Sequence, residues 1–189
     1  MNQIYWDHNA TTPLYPKIRQ RLYQLEEKGI FGNPSSIHWA GREARKYLNE
    51  ARENVAAQFD CDESEVLFTS GGTESINFAL IGLWRGRPHG CETIVSSPLE
   101  HPATLKTLHF LERLGARLIW LQHDSQGRLD LAHLEQLVQQ RPWLVSLMAA
   151  NNELGNLNPI ESIAELCQNH QVLFHCDATQ WVGKLPLDL

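Results

Sequence analysis

The sequence predicts an α/β fold, with helices on both faces of a mainly parallel sheet in a three-layer α/β/α arrangement. From residue 65 onward, short apolar segments alternate with segments of helical periodicity, which is the pattern of successive β-α units. The apolar segments lack polar–apolar alternation, as expected for strands that are buried on both faces of a parallel sheet. Several of them end in polar residues, and strand ends of this kind form the ligand sites of open α/β sheets.

Length and composition restrict the class of protein. The chain has 189 residues, of which 42% are hydrophobic and 20% charged, which suits a globular domain with a substantial core. A net charge of −6 argues against a nucleic-acid partner. No apolar run reaches membrane-spanning length, and the N-terminus lacks a signal-peptide pattern. The cysteines form no C-x-x-C pair, so we expect free thiols, no metal site and a cytoplasmic location.

Residues 1–64 are expected to form an N-terminal arm and a helical lead-in, before a sheet domain over 65–189. The spacing of apolar residues predicts a helix over 17–28, which Gly29 ends. A longer helix is predicted over 37–58, since apolar residues recur every three or four positions. That stripe comprises Ala40, Ala44, Tyr47, Ala51 and Val55.

The sheet domain is predicted as an alternation of strands and helices. The predicted strands cover residues 66–69, 93–96, 118–121, 144–149 and 172–176. The predicted helices cover residues 73–84, 102–114, 131–140 and 160–169.

The segment 69–75, Thr-Ser-Gly-Gly-Thr-Glu-Ser, joins the first predicted strand to a helix. Two glycines allow close approach of the backbone to a ligand, and the amides of a helix start favour an anion such as phosphate. No G-K-[ST] follows, so a nucleotide triphosphate is not favoured. The charge of Glu74 would repel a phosphate, and its side chain is therefore expected to point away. The alternative is an ordinary tight turn with a helix cap.

Three further strand ends carry polar residues. His101 can stack on an aromatic ligand or move protons. An Asn in the segment 151–152 can donate to a phenolate oxygen or a carboxylate, and Asp177 can hold a cationic ring nitrogen. Each has a plainer alternative: a hydrogen-bonded loop His, an Asn–Gly turn and a capping Asp. A hydrolase triad is disfavoured because the sequence contains no G-x-S-x-G.

In combination, these residues resemble the cysteine desulfurase family, within the class V aminotransferase group of fold-type-I pyridoxal-phosphate enzymes. The resemblance extends, in order, over essentially the whole chain. It is carried by the segments 5–13, 32–38, 68–75, 100–101, 151–155 and 177–184.

The resemblance implies a pyridoxal 5'-phosphate site and assigns a part of it to each strand end. Gly72 and Thr73 would hold the phosphate group, and His101 would stack on the pyridine ring. Asn152 and Gln180 would hydrogen-bond the region of the ring's 3-oxygen.

The resemblance also implies catalytic and substrate-binding residues. Asp177 would pair with the protonated ring nitrogen, which keeps the ring an electron sink, and His101 would act with it as a catalytic residue. Asn9, Ala10 and Thr11 would lie near the substrate.

The implied whole enzyme converts L-cysteine to L-alanine and leaves sulfur as a persulfide on a Cys, for iron–sulfur cluster assembly or other sulfur transfer. Its Schiff-base Lys and nucleophilic Cys belong to segments beyond residue 189, and Lys184 does not replace the former. We therefore expect an N-terminal part of a homodimeric enzyme with sulfur-acceptor or scaffold partners, which is inactive by itself. The alternatives are a selenocysteine lyase, another class V aminotransferase, or an inactive fragment that acts only through binding.

Overall fold

The computed structural model describes residues 4–186, and the chain divides into two structural units between Phe68 and Thr69. Within residues 4–186, no helix is both long and apolar enough to cross a lipid bilayer. The first unit is helical, and the second contains a parallel sheet with helices on both faces.

The first unit contains α1 (Pro16–Glu27), α2 (Trp39–Gln58) and a short 3-10 turn (Glu63–Glu65). Helix α2 begins two residues later than predicted, because the His38 ring caps it by accepting a hydrogen bond from the Gly41 amide at 3.4 Å. Of the predicted apolar stripe on α2, Ala40 is buried, whereas Ala51 is exposed.

The predicted strand over residues 66–69 is wrong: this segment lies outside every sheet of the described structure. Val66 has an extended backbone, but its carbonyl accepts a hydrogen bond from Arg52 Nε at 3.2 Å. The side chains of Leu67 and Phe68 are exposed. Because strand composition yields a strand only where a neighbouring strand pairs with the backbone, local sequence could not decide this segment.

The second unit is built on an all-parallel sheet in the order β2-β1-β3-β4. The predicted α/β fold with a parallel sheet is therefore confirmed. The strands are β1 (Thr93–Ser96), β2 (Arg117–Trp120), β3 (Leu144–Met148) and β4 (Leu173–Asp177). The helices are α3 (Gly72–Gly86), α4 (Pro102–Arg113), α5 (Leu131–Val138) and α6 (Ile160–Asn169).

Two apolar clusters on opposite faces of the sheet make the three layers. Ile94 and Leu144 are register partners, and both pack with residues of α3 and α4 such as Leu80. The next register pair, Val95 and Val145, packs with residues of α5 and α6 instead. Consecutive strand residues point to opposite faces, so these apolar strands without alternation are covered by helices on both sides.

The strand order reverses between β1 and β3. The chain runs from β1 to β2 on one side, and then crosses to β3 on the other side of β1. The crevice at such a reversal, outside the carboxyl ends of the strands, is the usual ligand site of open α/β sheets. The loops after β1 and β3 therefore lie where a ligand site is expected. The last strand was predicted to end at residue 176, just before Asp177. In the structure Asp177 is the last residue of β4, because it pairs in register with Met148.

Candidate functional site

The predicted phosphate loop, residues 69–75, leads directly into α3, which begins at Gly72. The hydroxyl groups of Thr69 and Ser75 are hydrogen-bonded at 2.7 Å, which closes the loop across its ends. The Glu74 carboxylate accepts a hydrogen bond from the Ser70 amide at 2.6 Å. Hydrogen bonding to the Ser70 side chain, together with this amide, holds the pKa of Glu74 below its usual value. This carboxylate therefore binds an amide of the loop itself, and its expected orientation away from a phosphate stays a prediction. The first amides of α3 lack acceptors within the helix, as at any helix start.

Gly72 lies close to the turn that follows β4. A Cβ atom on residue 72 would lie 3.1 Å from the hydroxyl oxygen of Thr179. The Thr179 amide in turn donates a hydrogen bond to Asp177 Oδ1 at 3.0 Å. The start of α3 and the Asp177 carboxylate therefore both lie close to Thr179, so two predicted site segments that are about 100 residues apart in sequence are brought together.

Asp177 is buried, with 9% of its surface exposed, at the C-terminal end of β4. Its backbone carbonyl accepts a hydrogen bond from the Ala149 amide at 2.9 Å, which fixes the strand end against β3. Its side chain caps the following turn through Thr179. Asp177 therefore does act as the capping residue of the plainer interpretation. Burial of its carboxylate at a strand end nevertheless costs free energy unless a cation or hydrogen bonds compensate it.

His101 begins α4 and orients its ring by capping that helix. Its Nδ1 accepts a hydrogen bond from the Ala103 amide at 3.1 Å. Because Nδ1 acts as an acceptor, the proton of the neutral ring is assigned to Nε2. This is the hydrogen-bonded loop His of the plainer interpretation, and the bond also fixes the ring's orientation at the end of β1.

The loop after β3 is organised by Asn151. Its Oδ1 accepts hydrogen bonds from the amides of Glu153 and Leu154 at 2.8 Å each. Its Nδ2 donates to the Leu99 carbonyl at 2.9 Å, which ties this loop to the loop after β1. The predicted site residue Asn152 follows directly and is half-buried. Asn151 therefore has a structural role, and Asn152 is left as the candidate for ligand contact.

Gln180 lies in the turn after β4 and is half-buried. Its Oε1 accepts a hydrogen bond from Lys184 Nζ. Lys184 itself is exposed.

The predicted substrate residues Asn9, Ala10 and Thr11 belong to the first unit, where all three are exposed. The amides of Ala10 and Thr11 both donate to the Asp7 carbonyl at 3.3 Å, so the segment forms a turn. Their role with substrate stays a prediction.

Sequence reasoning assigned no role to Glu100, although it noted the pair Glu100–His101. Glu100 is buried, with 4% of its surface exposed, and its Oε1 accepts a hydrogen bond from the Met148 amide at 2.8 Å. Burial, together with repulsion from Asp177, raises the pKa of Glu100 to about 8. A charged residue at a strand end beside a predicted site residue was the only signal in the sequence.

His175 was also missed, because it lies inside β4 in a run of otherwise apolar residues. Its Nδ1 and the Ser146 hydroxyl oxygen are hydrogen-bonded at 2.9 Å. Burial lowers the pKa of His175, while Asp177 opposes that shift. His175 and Asp177 are two residues apart on one strand and therefore share a face of the sheet.

The fold and these strand ends define an α/β domain with a helix start and a buried carboxylate at one edge of a parallel sheet. The sequence model of the family described as aminotransferase class-V matches residues 4–189, and the chain belongs to this family.

Proteins of known sequence and structure agree with this assignment. The chain is 39% identical to the cysteine desulfurase IscS of Dictyoglomus turgidum, over 99% of this chain and 47% of that protein. A solved structure described as a NifS-like protein matches with a TM-score of 0.93 and 36% identity, covering 100% of this chain and 52% of that one. A second, described as SspA in complex with cysteine, matches with a TM-score of 0.89 and 32% identity, over 97% and 53% of the two chains. The chain thus spans about half the length of the curated relatives it matches.

Proposed function

We propose that this chain is the N-terminal part of a pyridoxal-phosphate-dependent cysteine desulfurase, with residues 65–189 forming part of the cofactor-binding domain. The observation that carries the proposal is the buried Asp177 carboxylate at a strand end, joined through Thr179 to the helix start at Gly72. An anion-binding helix start beside a buried carboxylate suits a ligand with a phosphate at one end and a cationic ring nitrogen at the other. The similarity to cysteine desulfurases supports the same conclusion.

The residues present fit pyridoxal 5'-phosphate. A Cβ atom on residue 72 would lie 3.1 Å from the Thr179 hydroxyl oxygen, so a glycine here lets the start of α3 pack close to the turn after β4. Gly72 and Thr73 would hold the phosphate through the first amides of α3 and the Thr73 hydroxyl. Glu74, the acidic residue of this first turn, is held by the Ser70 amide. When bound, the cofactor supplies a protonated pyridine ring that withdraws electrons from the substrate's α-carbon.

Asp177 would hold the proton on the ring nitrogen. Its position is fixed from two sides, because the Thr179 amide binds its side chain and the Ala149 amide binds its carbonyl. A charge interaction is stronger at such a buried place than at the surface, since less water screens it. A carboxylate that is already oriented needs little reorganisation when charge develops on the ring.

His101 would stack on the ring and act as a proton-transfer group. The Ala103 amide occupies its Nδ1, so Nε2 is the nitrogen that carries the exchangeable proton. Asn152 and Gln180 would bind the ring's 3-oxygen region. Lys184, which donates to Gln180, would support the orientation of that amide.

The proposed substrate is L-cysteine, which would be converted to L-alanine while its sulfur passes to a protein Cys as a persulfide. Asn9, Ala10 and Thr11 would contribute to the substrate site. A similar solved structure is described as a complex with cysteine, which supports this substrate class. We further propose a cytoplasmic homodimer that delivers sulfur to an acceptor or scaffold protein, for iron–sulfur cluster assembly or another sulfur-transfer step.

Alanine release from L-cysteine tests this proposal. A polypeptide of these 189 residues alone should produce no alanine above the rate of free pyridoxal phosphate. The family resemblance places the Schiff-base Lys and the nucleophilic Cys in the half that the relatives carry in addition. A protein that joins these residues to such a half should release one alanine for each sulfur transferred. Preference for selenocysteine, or transfer of an amino group to a keto acid, would support the alternative reactions and contradict this one.

A further inference from the structure

Glu100 places a buried carboxyl group at the point where the strand order reverses. It lies in the loop between β1 and α4, and its surface is 4% exposed. Its Oε1 accepts the Met148 amide at 2.8 Å. Its Oε2 is buried and has no hydrogen-bond partner within the described part of the chain. A lone carboxylate in this position would be costly, since burial of an unpaired charge is among the least favourable events in folding.

The carboxyl group takes a place that strand β1 leaves open. The register between β1 and β3 ends at the pair Ser96 and Ser146, so β1 stops short of Met148. The two backbone groups of Met148 are satisfied by side chains instead: Glu100 accepts from its amide, and Asn158 Nδ2 donates to its carbonyl at 2.8 Å. Glu100 thus supplies a hydrogen bond to β3 beyond the end of its ladder with β1.

Met148, whose amide is bound by Glu100, lies opposite Asp177 in the sheet. Met148 and Asp177 are register partners in the ladder between β3 and β4. The next amide of the chain, that of Ala149, donates to the Asp177 carbonyl at 2.9 Å. Two hydrogen bonds, on the consecutive amides of Met148 and Ala149, therefore link Glu100 through the end of β3 to the backbone of Asp177.

We propose that Glu100 is a positioning residue of the cofactor site, which acts as a neutral carboxylic acid to hold the end of β3 against Asp177. The inference rests on the proposed function only for the role of Asp177. In this arrangement the two neighbouring carboxyl groups have separate tasks. Asp177 supplies the carboxylate that would pair with the ring nitrogen, and Glu100 supplies an acceptor oxygen without adding a second charge.

The electrostatic environment of Glu100 agrees with these separate roles of the two carboxyl groups. Burial of Glu100 and repulsion from Asp177 raise the pKa of Glu100 to about 8, against the opposing effect of the Met148 amide. Cys176 on β4 also interacts with both carboxyl groups, but its pKa is raised to about 12, mainly by burial, so its thiol is uncharged. His101 follows Glu100 in the chain, and its Nδ1 is bound to the Ala103 amide. Among these groups Asp177 is the one that acts on Glu100 as a neighbouring charge.

A proton held by Glu100 makes stability depend on pH in a defined direction. The pKa of Glu100 rises from the ordinary 4.5 to about 8 on folding, so the folded state binds one more proton than the unfolded state between these values. The resulting stability is fully present below the lower value and is lost as pH rises toward the higher one. The unfolding equilibrium constant should rise by up to tenfold for each pH unit in this interval.

The substitution Glu100→Gln tests the proposal, because Gln keeps the acceptor for the Met148 amide and cannot ionise. Urea unfolding would be measured from pH 5 to pH 9 on the cofactor-free protein that carries these residues. We expect Glu100→Gln to abolish the rise of the unfolding equilibrium constant with pH that Glu100 causes. The control Glu135→Gln, at an exposed position, should keep the pH dependence of the wild type. A Glu100→Gln profile that parallels the wild type would overturn the proposal.

Carboxyl-carbon NMR provides the second readout and links Glu100 to Asp177. In the wild type, we expect the carboxyl-carbon chemical shifts of both Glu100 and Asp177 to change with pH around the folded-state pKa of Glu100, about 8. The second resonance is identified by its loss in Asp177→Asn. In Glu100→Gln the Asp177 inflection should disappear; its persistence would refute the coupling. Neither measurement uses activity or cofactor, so failure here and failure of the proposed desulfurase function can be told apart.

Discussion

Gly72 and Thr179 approach so closely that a Cβ atom on residue 72 would lie 3.1 Å from the Thr179 hydroxyl oxygen. This distance is tighter than ordinary van der Waals contact, so any side chain at residue 72 displaces Thr179 or the start of α3. Thr179 also binds the Asp177 carboxylate through its amide. One steric change at Gly72 would therefore affect both ends of the proposed cofactor site.

We expect Gly72→Val to weaken binding of pyridoxal phosphate by about tenfold or more, since overpacking of a tight site costs about 1–3 kcal/mol. Binding would be measured by titration of the cofactor against protein fluorescence. The matched control is Gly82→Ala in the same helix, where an added Cβ meets no atom within 4 Å among the described residues. That change should leave binding unaltered and stabilise the protein by up to about 1 kcal/mol. Equal cofactor affinity in the two variants would argue against a phosphate at the start of α3.

Asp177 and Lys184 should differ in importance, although both lie near Gln180. In the protein that contains these residues together with the second half of its relatives, Asp177→Ala should reduce the rate of alanine release by about 100-fold or more, the size of a lost electrostatic contact in a transition state. Lys184→Ala should change it only a few-fold, since Lys184 is exposed and acts through one hydrogen bond to Gln180.

The variant Asp177→Asn separates charge from capping. An Asn side chain still accepts from the Thr179 amide, so it preserves the turn but removes the negative charge. Activity close to wild type in Asp177→Asn would reduce Asp177 to a capping residue. Loss of activity with an unchanged unfolding transition would support its proposed partnership with a ring nitrogen.

The four cysteines should react with an alkylating reagent in two classes. Burial raises the pKa of Cys167 to about 11, and burial with two nearby carboxyl groups raises that of Cys176 to about 12. Cys176 is half-buried like Cys61 and Cys91, whereas Cys167 is buried. The thiolate is the reactive form, so at pH 8 the raised pKa values should make Cys167 and Cys176 react with iodoacetamide far more slowly than Cys61 and Cys91. Peptide mass spectrometry of native and urea-unfolded protein would measure this difference. Rapid native labelling of Cys176 would mean that β4 opens or that its thiol is activated.

A polypeptide of these 189 residues alone should be marginally stable and prone to association. In the described structure β4 forms an edge of the sheet, and the apolar side chains of Phe78 and Val182 are 64% and 44% exposed. Exposed strand edges and apolar surface favour association, and each unsatisfied buried backbone group costs about 1–3 kcal/mol of a total of about 5–15 kcal/mol.

Thermal unfolding and size-exclusion chromatography would compare this polypeptide with one that is extended to the full length of the relatives. We expect a broad transition and soluble aggregate for the shorter protein, and a sharp transition for the longer one. A clean monomer with a cooperative transition at 189 residues would show that the exposed edge and apolar surface are harmless.

Local sequence was sufficient to predict those strands and helices whose own residues carry a clear apolar pattern. The strand Thr93–Ser96 and the helix Ile160–Asn169 have the predicted bounds, because one is a short apolar run and the other an amphipathic helix with a strong apolar stripe. The chain also contains the residues by which it resembles its family, and their order along successive strand ends indicated one shared edge of a parallel sheet.

Only the tertiary structure decided features that depend on neighbours distant in sequence. Residues 66–69 have strand composition, yet they form no strand in the described chain, because a strand exists only through hydrogen bonds to a partner strand. In the same way, nothing near Glu100 in the sequence reveals that its carboxyl group is buried beside Met148 and Asp177. The sequence by itself determined which residues bear chemistry and which segments are apolar. The tertiary structure decided which of those residues share a buried environment, because burial, repulsion and backbone pairing are set by segments that meet only in the folded chain.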